Sequence, residues 1–204
     1  DNFYKKIIKN KKDLRILNEY KKIQKYKKMI KFVYQNQPNG TGDAVFKARK
    51  LIKDNFFLML LPDDLIIKKN CSKDMIKIHK KTKCSVIASM RVNRKTVNRW
   101  GIFSKKKSIN SNNFYIDDVI EKPDIKNTPS NNAVIGRYIL SRKIFKKLHN
   151  QKKGKGGEIH ITDAIKTLVK KNEKFYGNIF KGKYIDCGTL EGFINSGLTI
   201  SKYL

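Results

Sequence analysis

Acidic and basic residues set side by side are the groups in this sequence best suited to do chemistry. Pro62-Asp63-Asp64 closes the apolar run 56–61. Paired carboxylates of this kind suit a hard cation, although an Asp pair after Pro is also ordinary turn chemistry. Glu121-Lys122-Pro123 follows a second strand-like stretch, 114–120. A hydroxyl acceptor beside a cation for phosphate suits a sugar phosphate, and the plainer alternative is a surface ion pair before a Pro turn. Gly40-Thr41-Gly42 and Gly154-Lys155-Gly156-Gly157 are Gly-rich, yet neither has the G-x-x-x-x-G-K-[ST] spacing that wraps N–H groups around a phosphate. The first lies between a strand-like and a helix-like stretch, where glycine lets backbone approach a planar ligand; the second reads equally as a surface turn. His79, His149 and His160 lack ligand spacing, and no Ser or Cys nucleophile signature occurs, so none of these is assigned a catalytic role.

These groups need a scaffold, and the hydrophobic pattern describes one. Leu14, Leu17, Tyr20 and Ile23 recur at helical spacing in a Lys-rich stretch, and 31–35 reads as a strand. After a break at 38–42, Val45, Ala48, Leu51 and Ile52 resume helical spacing with Asp43 as N-cap. The run 56–61 is apolar on both faces, which predicts a buried central strand of a largely parallel sheet. Further on, 72–81 reads as helix, and 84–90, 100–103, 114–121 and 133–140 as strands. Ser141, Thr162 and Thr189 stand as caps of helices through Ile144-Phe145 and Leu148, through Ala164-Ile165 and Leu168-Val169, and through Leu190, Phe193 and Ile194. Strands and helices alternating without repeats or a long linker predict a single α/β layered domain over 1–204.

Composition narrows the function classes. The 204 residues include 47 Lys or Arg against 17 Asp or Glu, a formal charge of +30. Such a charge is the footprint of a protein that binds nucleic acid or anionic membrane. Only seven of the basic residues are Arg, the side chain that reads base edges with a bidentate fork, while Lys is accompanied by Asn and Ile, whose codons are A/T-rich. Drift of composition onto solvated faces accounts for that pattern, and it argues against nucleic acid as the partner. Hydrophobic residues at 39% are enough for a core, and no apolar run approaches the roughly 18–20 residues that cross a bilayer. Three dispersed cysteines encode neither a disulfide framework nor a zinc ribbon, which fits a reducing, cytoplasmic location.

Several stretches taken in order carry a resemblance. They are Val33-Tyr34-Gln35-Asn36-Gln37-Pro38-Asn39-Gly40-Thr41-Gly42-Asp43-Ala44-Val45, Leu61-Pro62-Asp63-Asp64, Trp100-Gly101-Ile102, Ile120-Glu121-Lys122-Pro123, Pro129-Ser130-Asn131-Asn132-Ala133-Val134-Ile135-Gly136-Arg137-Tyr138, Gly156-Gly157-Glu158-Ile159-His160-Ile161-Thr162-Asp163-Ala164 and Asp186-Cys187-Gly188. Each is common alone; in this order they resemble the nucleotide-sugar pyrophosphorylases, in particular the bacterial UTP:glucose-1-phosphate uridylyltransferases. Tyr34, Asp43 and Trp100 depart from the family's usual Arg, His and Tyr.

The resemblance implies a Rossmann-like α/β fold, a mixed, mostly parallel sheet flanked by helices. It implies the synthesis of UDP-glucose and pyrophosphate from UTP and glucose 1-phosphate with Mg²⁺, and a homo-oligomer for the full-length enzyme. By the same resemblance, Gln35 and the backbone at Gly40 read the uracil edge, with Gln37 as the substitute for Gln35. Asp63 binds Mg²⁺, with Asp186 as second ligand; Gly101, Glu121 and Val134 line the glucose; Lys122 holds its phosphate. Family members also open with a strand and a G-x-G-T-R loop that holds the triphosphate. Asp1-Asn2-Phe3 instead resembles the region after the family's second strand, and no later stretch carries that loop. The expectation is therefore a chain lacking the first βαβ unit that by itself releases no pyrophosphate from UTP and glucose 1-phosphate. Two other readings stay open: a sister thymidylyl- or cytidylyltransferase, and a polyanion-binding module driven by the +30 charge.

Overall fold

A computed structural model describes residues 5–6 and 14–203, and these fall into two compact units, one ending at Tyr34 and the other starting at Gln35. In the first, the spacing of Leu14, Leu17, Tyr20 and Ile23 forms helix α1 (Leu14–Lys27), which has no buried residue. Lys25 and Lys27 lie in its last turn, where cations suit the helix dipole. The strand expected at 31–35 does not form: among the described residues no neighbouring strand offers those N–H and C=O groups a ladder.

The second unit is built on a six-stranded sheet in the order β1 (Phe56–Leu60), β6 (Asn132–Ser141), β3 (Ser85–Arg91), β7 (Phe175–Ile179), β5 (Asn113–Glu121), β4 (Gly101–Ser108). A separate ribbon pairs β2 (Asp64–Ile67) with β8 (Lys183–Asp186). The sheet is mixed, as expected, but it is not mostly parallel among the described residues. Only β3 and β7 run parallel; every other pairing is antiparallel.

The run 56–61 is also corrected. It forms β1 at the sheet edge, with no residue fully buried, because β6 is its only partner among the described strands. Inside the sheet, β3 and β6 are each buried on both faces. Val86 and Ala88 of β3 face one core while Ile87 faces the other, and on β6 Ile135 and Ile139 alternate in the same way with Val134, Tyr138 and Leu140. This is the period of two that a strand imposes.

Helices cover both faces. On one side lie α2 (Thr41–Lys47), α4 (Ile144–His149) and α5 (Ile161–Lys170), whose apolar residues pack with Phe103, Phe114 and Phe175 of the sheet. Those three phenylalanines are at most 2% exposed, and burial of each stabilises the fold by roughly 2–3 kcal/mol. On the other side α3 (Cys71–Thr82) inserts Cys71 and Met75. It is capped by Asn70, whose side chain accepts from Lys73 N at 2.9 Å. A last helix, α6 (Leu190–Ile200), starts at Thr189, whose hydroxyl accepts from Gly192 N as its sequence position predicts. Asp43, by contrast, lies inside the first turn of α2, and Gly40 with φ 102° is the N-cap residue. Ser141 sits two residues ahead of the α4 N-cap position and accepts from Lys143 N at 3.3 Å. Among the described residues no helix is long and apolar enough to cross a membrane.

Candidate active site

Antiparallel pairing brings the carboxyl ends of β1 and β5 to the same sheet edge as the amino ends of β4 and β6. A cleft of about 290 Å³ opens there, and Asp63, Gly101, Glu121, Lys122, Val134 and Asp186 all line it. Six of the eight residues singled out in the sequence thus share one cavity.

The acidic wall is made by the β2–β8 ribbon. Its register sets Asp64 opposite Asp186, and Cys187 N donates to Asp63 O at 2.8 Å. Asp63 and Asp186 therefore project beside each other. A Cβ placed on Gly188 would stand 2.7 Å from Asp63 Oδ2 and 3.3 Å from Asp186 Oδ1, so the two carboxylates face one point across a residue without a side chain. Two hard oxygens of this kind would suit a small divalent cation that takes its remaining ligands from outside the protein. No cluster of three or more His, Cys, Asp or Glu side chains gathers as ligands among the described residues, so an all-protein cage is not offered.

Asp64, the other half of the sequence pair, has a different task. It is buried, accepts from Gly136 N at 2.6 Å, and accepts from the Tyr184 hydroxyl. Burial pushes its carboxyl above the ordinary range, the neighbouring Asp63 charge adds to the rise, and the two hydrogen bonds oppose it. Tyr184 is held protonated by burial and by that carboxylate. Its ring meets Trp100 edge-on at 5.8 Å, and both line the cleft.

The opposite wall comes from β4 and β5, whose register pairs Gly101 with Glu121. Glu121 Oε2 accepts from the Thr162 hydroxyl at 2.8 Å, which leaves Oε1 for a ligand hydroxyl. Gly101 has to be small: a Cβ there would lie 3.1 Å from Glu121 Oε2 and 3.2 Å from both Thr162 and Val134 side chains. Thr162 is not a helix cap. It sits in the first turn of α5, His160 is the N-cap residue, and its hydroxyl serves Glu121. Lys122 takes a left-handed backbone, φ 46°, held by its N–H on Trp100 O at 2.9 Å and by Lys155 Nζ on its carbonyl. His160 Nε2 shares a hydrogen with Lys155 O at 2.7 Å and so anchors the Gly-rich turn.

Gln35 and Gly40 do not line this cavity; they adjoin it through Thr41, which does. Gln35 Nε2 donates to Gly40 O at 3.1 Å and to Asp43 Oδ2 at 2.7 Å. With both amide hydrogens taken, the free group of Gln35 is its carbonyl oxygen, an acceptor. Backbone bonds from Gly42 N to Ile159 O and from Ile159 N to Asn39 O, both 2.7 Å, tie this loop to the segment carrying Glu158 and His160, which also line the cleft.

Thr162, Tyr184, Arg99 and the structural role of Asp64 were missed in the sequence. The first two act through partners 41 and 120 residues away, and no local spacing reports such contacts.

The Nucleotidyl transferase family matches residues 2–202. A UTP–glucose-1-phosphate uridylyltransferase of Pseudomonas aeruginosa is 38% identical over 170 residues, covering 81% of this chain and 60% of that protein. UTP–glucose-1-phosphate uridylyltransferase 2 of Streptococcus pyogenes is 35% identical over 174 residues, covering 83% and 58%. Among solved structures, a UDP-glucose pyrophosphorylase complexed with UDP-glucose matches with a TM-score of 0.80 at 37% identity, covering 85% of this chain and 66% of that one. The chain thus spans 58–60% of the length of these curated relatives.

Proposed function

The chain belongs to the nucleotidyl transferase family, and from that premise we propose that it carries the sugar-phosphate and nucleotide site of a UTP:glucose-1-phosphate uridylyltransferase using Mg²⁺. The observation that carries the reading is the meeting of two unlike groups in one cleft: the carboxylates of Asp63 and Asp186 on one wall, and Glu121 with Lys122 on the other.

In the forward reaction a phosphate oxygen of glucose 1-phosphate attacks the α-phosphorus of UTP in line. The new P–O bond forms as the bond to the β-phosphate breaks, and pyrophosphate leaves. Little covalent help is needed, so positioning and charge neutralisation supply most of the rate. Lys122 holds the sugar phosphate. Glu121, turned by Thr162, accepts from glucose hydroxyls through Oε1, and Gly101 and Val134 form the wall against the ring. Asp63 and Asp186 would hold Mg²⁺, which when bound neutralises phosphate charge. The Gln35 carbonyl oxygen suits the imide N–H of uracil; this favours uracil or thymine over cytosine, whose N3 bears no hydrogen. The uridylyltransferase names of the relatives favour uracil over thymine.

Calorimetric titration of the chain with UDP-glucose, with and without Mg²⁺, tests this. Binding is expected to depend on Mg²⁺ and to weaken at least about tenfold in Asp63→Asn, the loss of one hard ligand. Equal affinity with and without the ion, or in the variant, overturns the assignment of Asp63.

A further inference from the structure

Arg99 is the one cation in ion-pair contact with the acidic wall among the described residues. It ends the 3₁₀ turn Arg94–Arg99, lines the cleft, and is 58% exposed in its side chain. Its Nη2 stands 3.7 Å from Asp186 Oδ2, while Asp186 Oδ1 accepts from Gly188 N at 2.9 Å. Both oxygens of Asp186 are therefore engaged. The Asp63 carboxylate, in contrast, has neither a hydrogen-bond donor nor an ion-pair partner among the described residues. A cation that takes both carboxylates meets a free ligand at Asp63 and a contested one at Asp186, whose Oδ1, the oxygen facing Asp63, already accepts from Gly188 N and whose Oδ2 and charge are shared with the guanidinium.

We propose that Arg99 is an exchangeable counter-ion: it competes with a divalent cation for Asp186 and, once displaced, binds the phosphates that arrive with that cation. The proposal rests on the reading that Asp63 and Asp186 are the cation's ligands. Three features make the exchange workable. A pair this exposed is worth no more than about fivefold in an equilibrium constant, so it yields readily to a doubly charged ion. The guanidinium is always charged, and its planar fork matches two phosphate oxygens at once, which a lysine ammonium does not. Arg99 also sits directly before Trp100-Gly101, so its backbone is fixed by β4 while its side chain is free to swing across the mouth of the cleft. The consequence is coupling: a cation arriving alone is disfavoured at Asp186, and a cation arriving with phosphate is not.

The test uses Mn²⁺ as the cation, its free concentration read by electron paramagnetic resonance, and pyrophosphate as the phosphate, read by calorimetry in the presence of Mn²⁺. Arg99→Gln is expected to raise affinity for Mn²⁺ alone about two- to fivefold and to weaken pyrophosphate about tenfold. Arg94→Gln removes the same charge from the same turn outside the cleft, and should move neither value by as much as twofold. Equal behaviour of the two variants overturns the proposal, as does a lower melting temperature for Arg99→Gln with unchanged Mn²⁺ and pyrophosphate binding. Asp63→Asn separates this from the reading beneath it: if that change leaves Mn²⁺ affinity intact, the cation site itself is misassigned; if it lowers Mn²⁺ affinity while Arg99→Gln has no effect, only the role of Arg99 fails.

Discussion

At Lys122 backbone and side chain make opposite demands. A left-handed backbone costs an L-residue about 1 kcal/mol, and glycine would adopt φ 46° without that penalty, yet a lysine stands there. Under the proposed function the side chain is kept for its ammonium; Lys68 and Lys83 share the left-handed backbone without a place in the cleft. Lys122→Gly is expected to leave stability to urea unchanged or raise it by roughly 0.5–1 kcal/mol, while the chain loses at least about tenfold in affinity for glucose 1-phosphate. A clear loss of stability with affinity retained would make Lys122 a packing residue. Asp64 is the complementary case, a buried carboxyl kept for its hydrogen bonds to Gly136 N and Tyr184. Its carboxyl is raised in the folded state above the ordinary 3.8, chiefly by burial. Below that value both states are protonated; as pH climbs past it, the unfolded state gives up its proton first and gains the advantage. Stability from this group therefore falls as pH rises from about 3.8 through the folded-state value. The difference between wild-type and Asp64→Asn urea-unfolding curves across that range should show this slope and lose it in the variant.

The two elements that matter most for the site are also the shortest strands. The β2–β8 ribbon brings Asp63 and Asp186 together, yet each strand has four residues, too few for a period of two to rise above chance. Its position depends on Gly136 in β6, where a Cβ would stand 2.5 Å from Leu61 Cβ and closer still to Asp64 Oδ2. Gly136→Ala is thus expected to cost 2 kcal/mol or more, on the order of other overpacking changes, and to weaken Mg²⁺-dependent binding as well. Long, strongly patterned elements were readable from residues alone: α3, β3, β5 and β6 lie within one or two residues of their expected bounds. The misreading of β1 has a physical cause. An apolar run reports that side chains avoid water, not which neighbours cover them; here Phe57 stacks on Phe145 at 5.3 Å while Leu58 is 38% exposed. Phe57→Ala should cost about 2 kcal/mol or more and Leu58→Ser within about 0.5 kcal/mol, read by urea unfolding. Thr162 is no cap because the helix starts two residues earlier, with His160 at the N-cap position, which leaves the Thr162 hydroxyl for Glu121.

On the scale of the whole molecule the +30 charge sets a competing expectation. A strongly basic chain attracts any polyanion, with affinity falling linearly in log affinity against log salt and with little regard for the ligand's shape. The cleft makes a different demand, since its walls carry carboxylates as well as cations; under the proposed function it takes a ligand that brings a metal to Asp63 and a sugar to Glu121. The most direct measurement of this difference is the thermal midpoint of the chain with UDP-glucose plus Mg²⁺, beside the midpoint with duplex DNA of equal phosphate charge, at low and at moderate salt. A ligand at 100 times its dissociation constant stabilises the folded state by about 2.7 kcal/mol. Protection by UDP-glucose that requires Mg²⁺ and survives moderate salt, with little or none from DNA, is the predicted result; protection by DNA that vanishes with salt, and none from UDP-glucose, would contradict it.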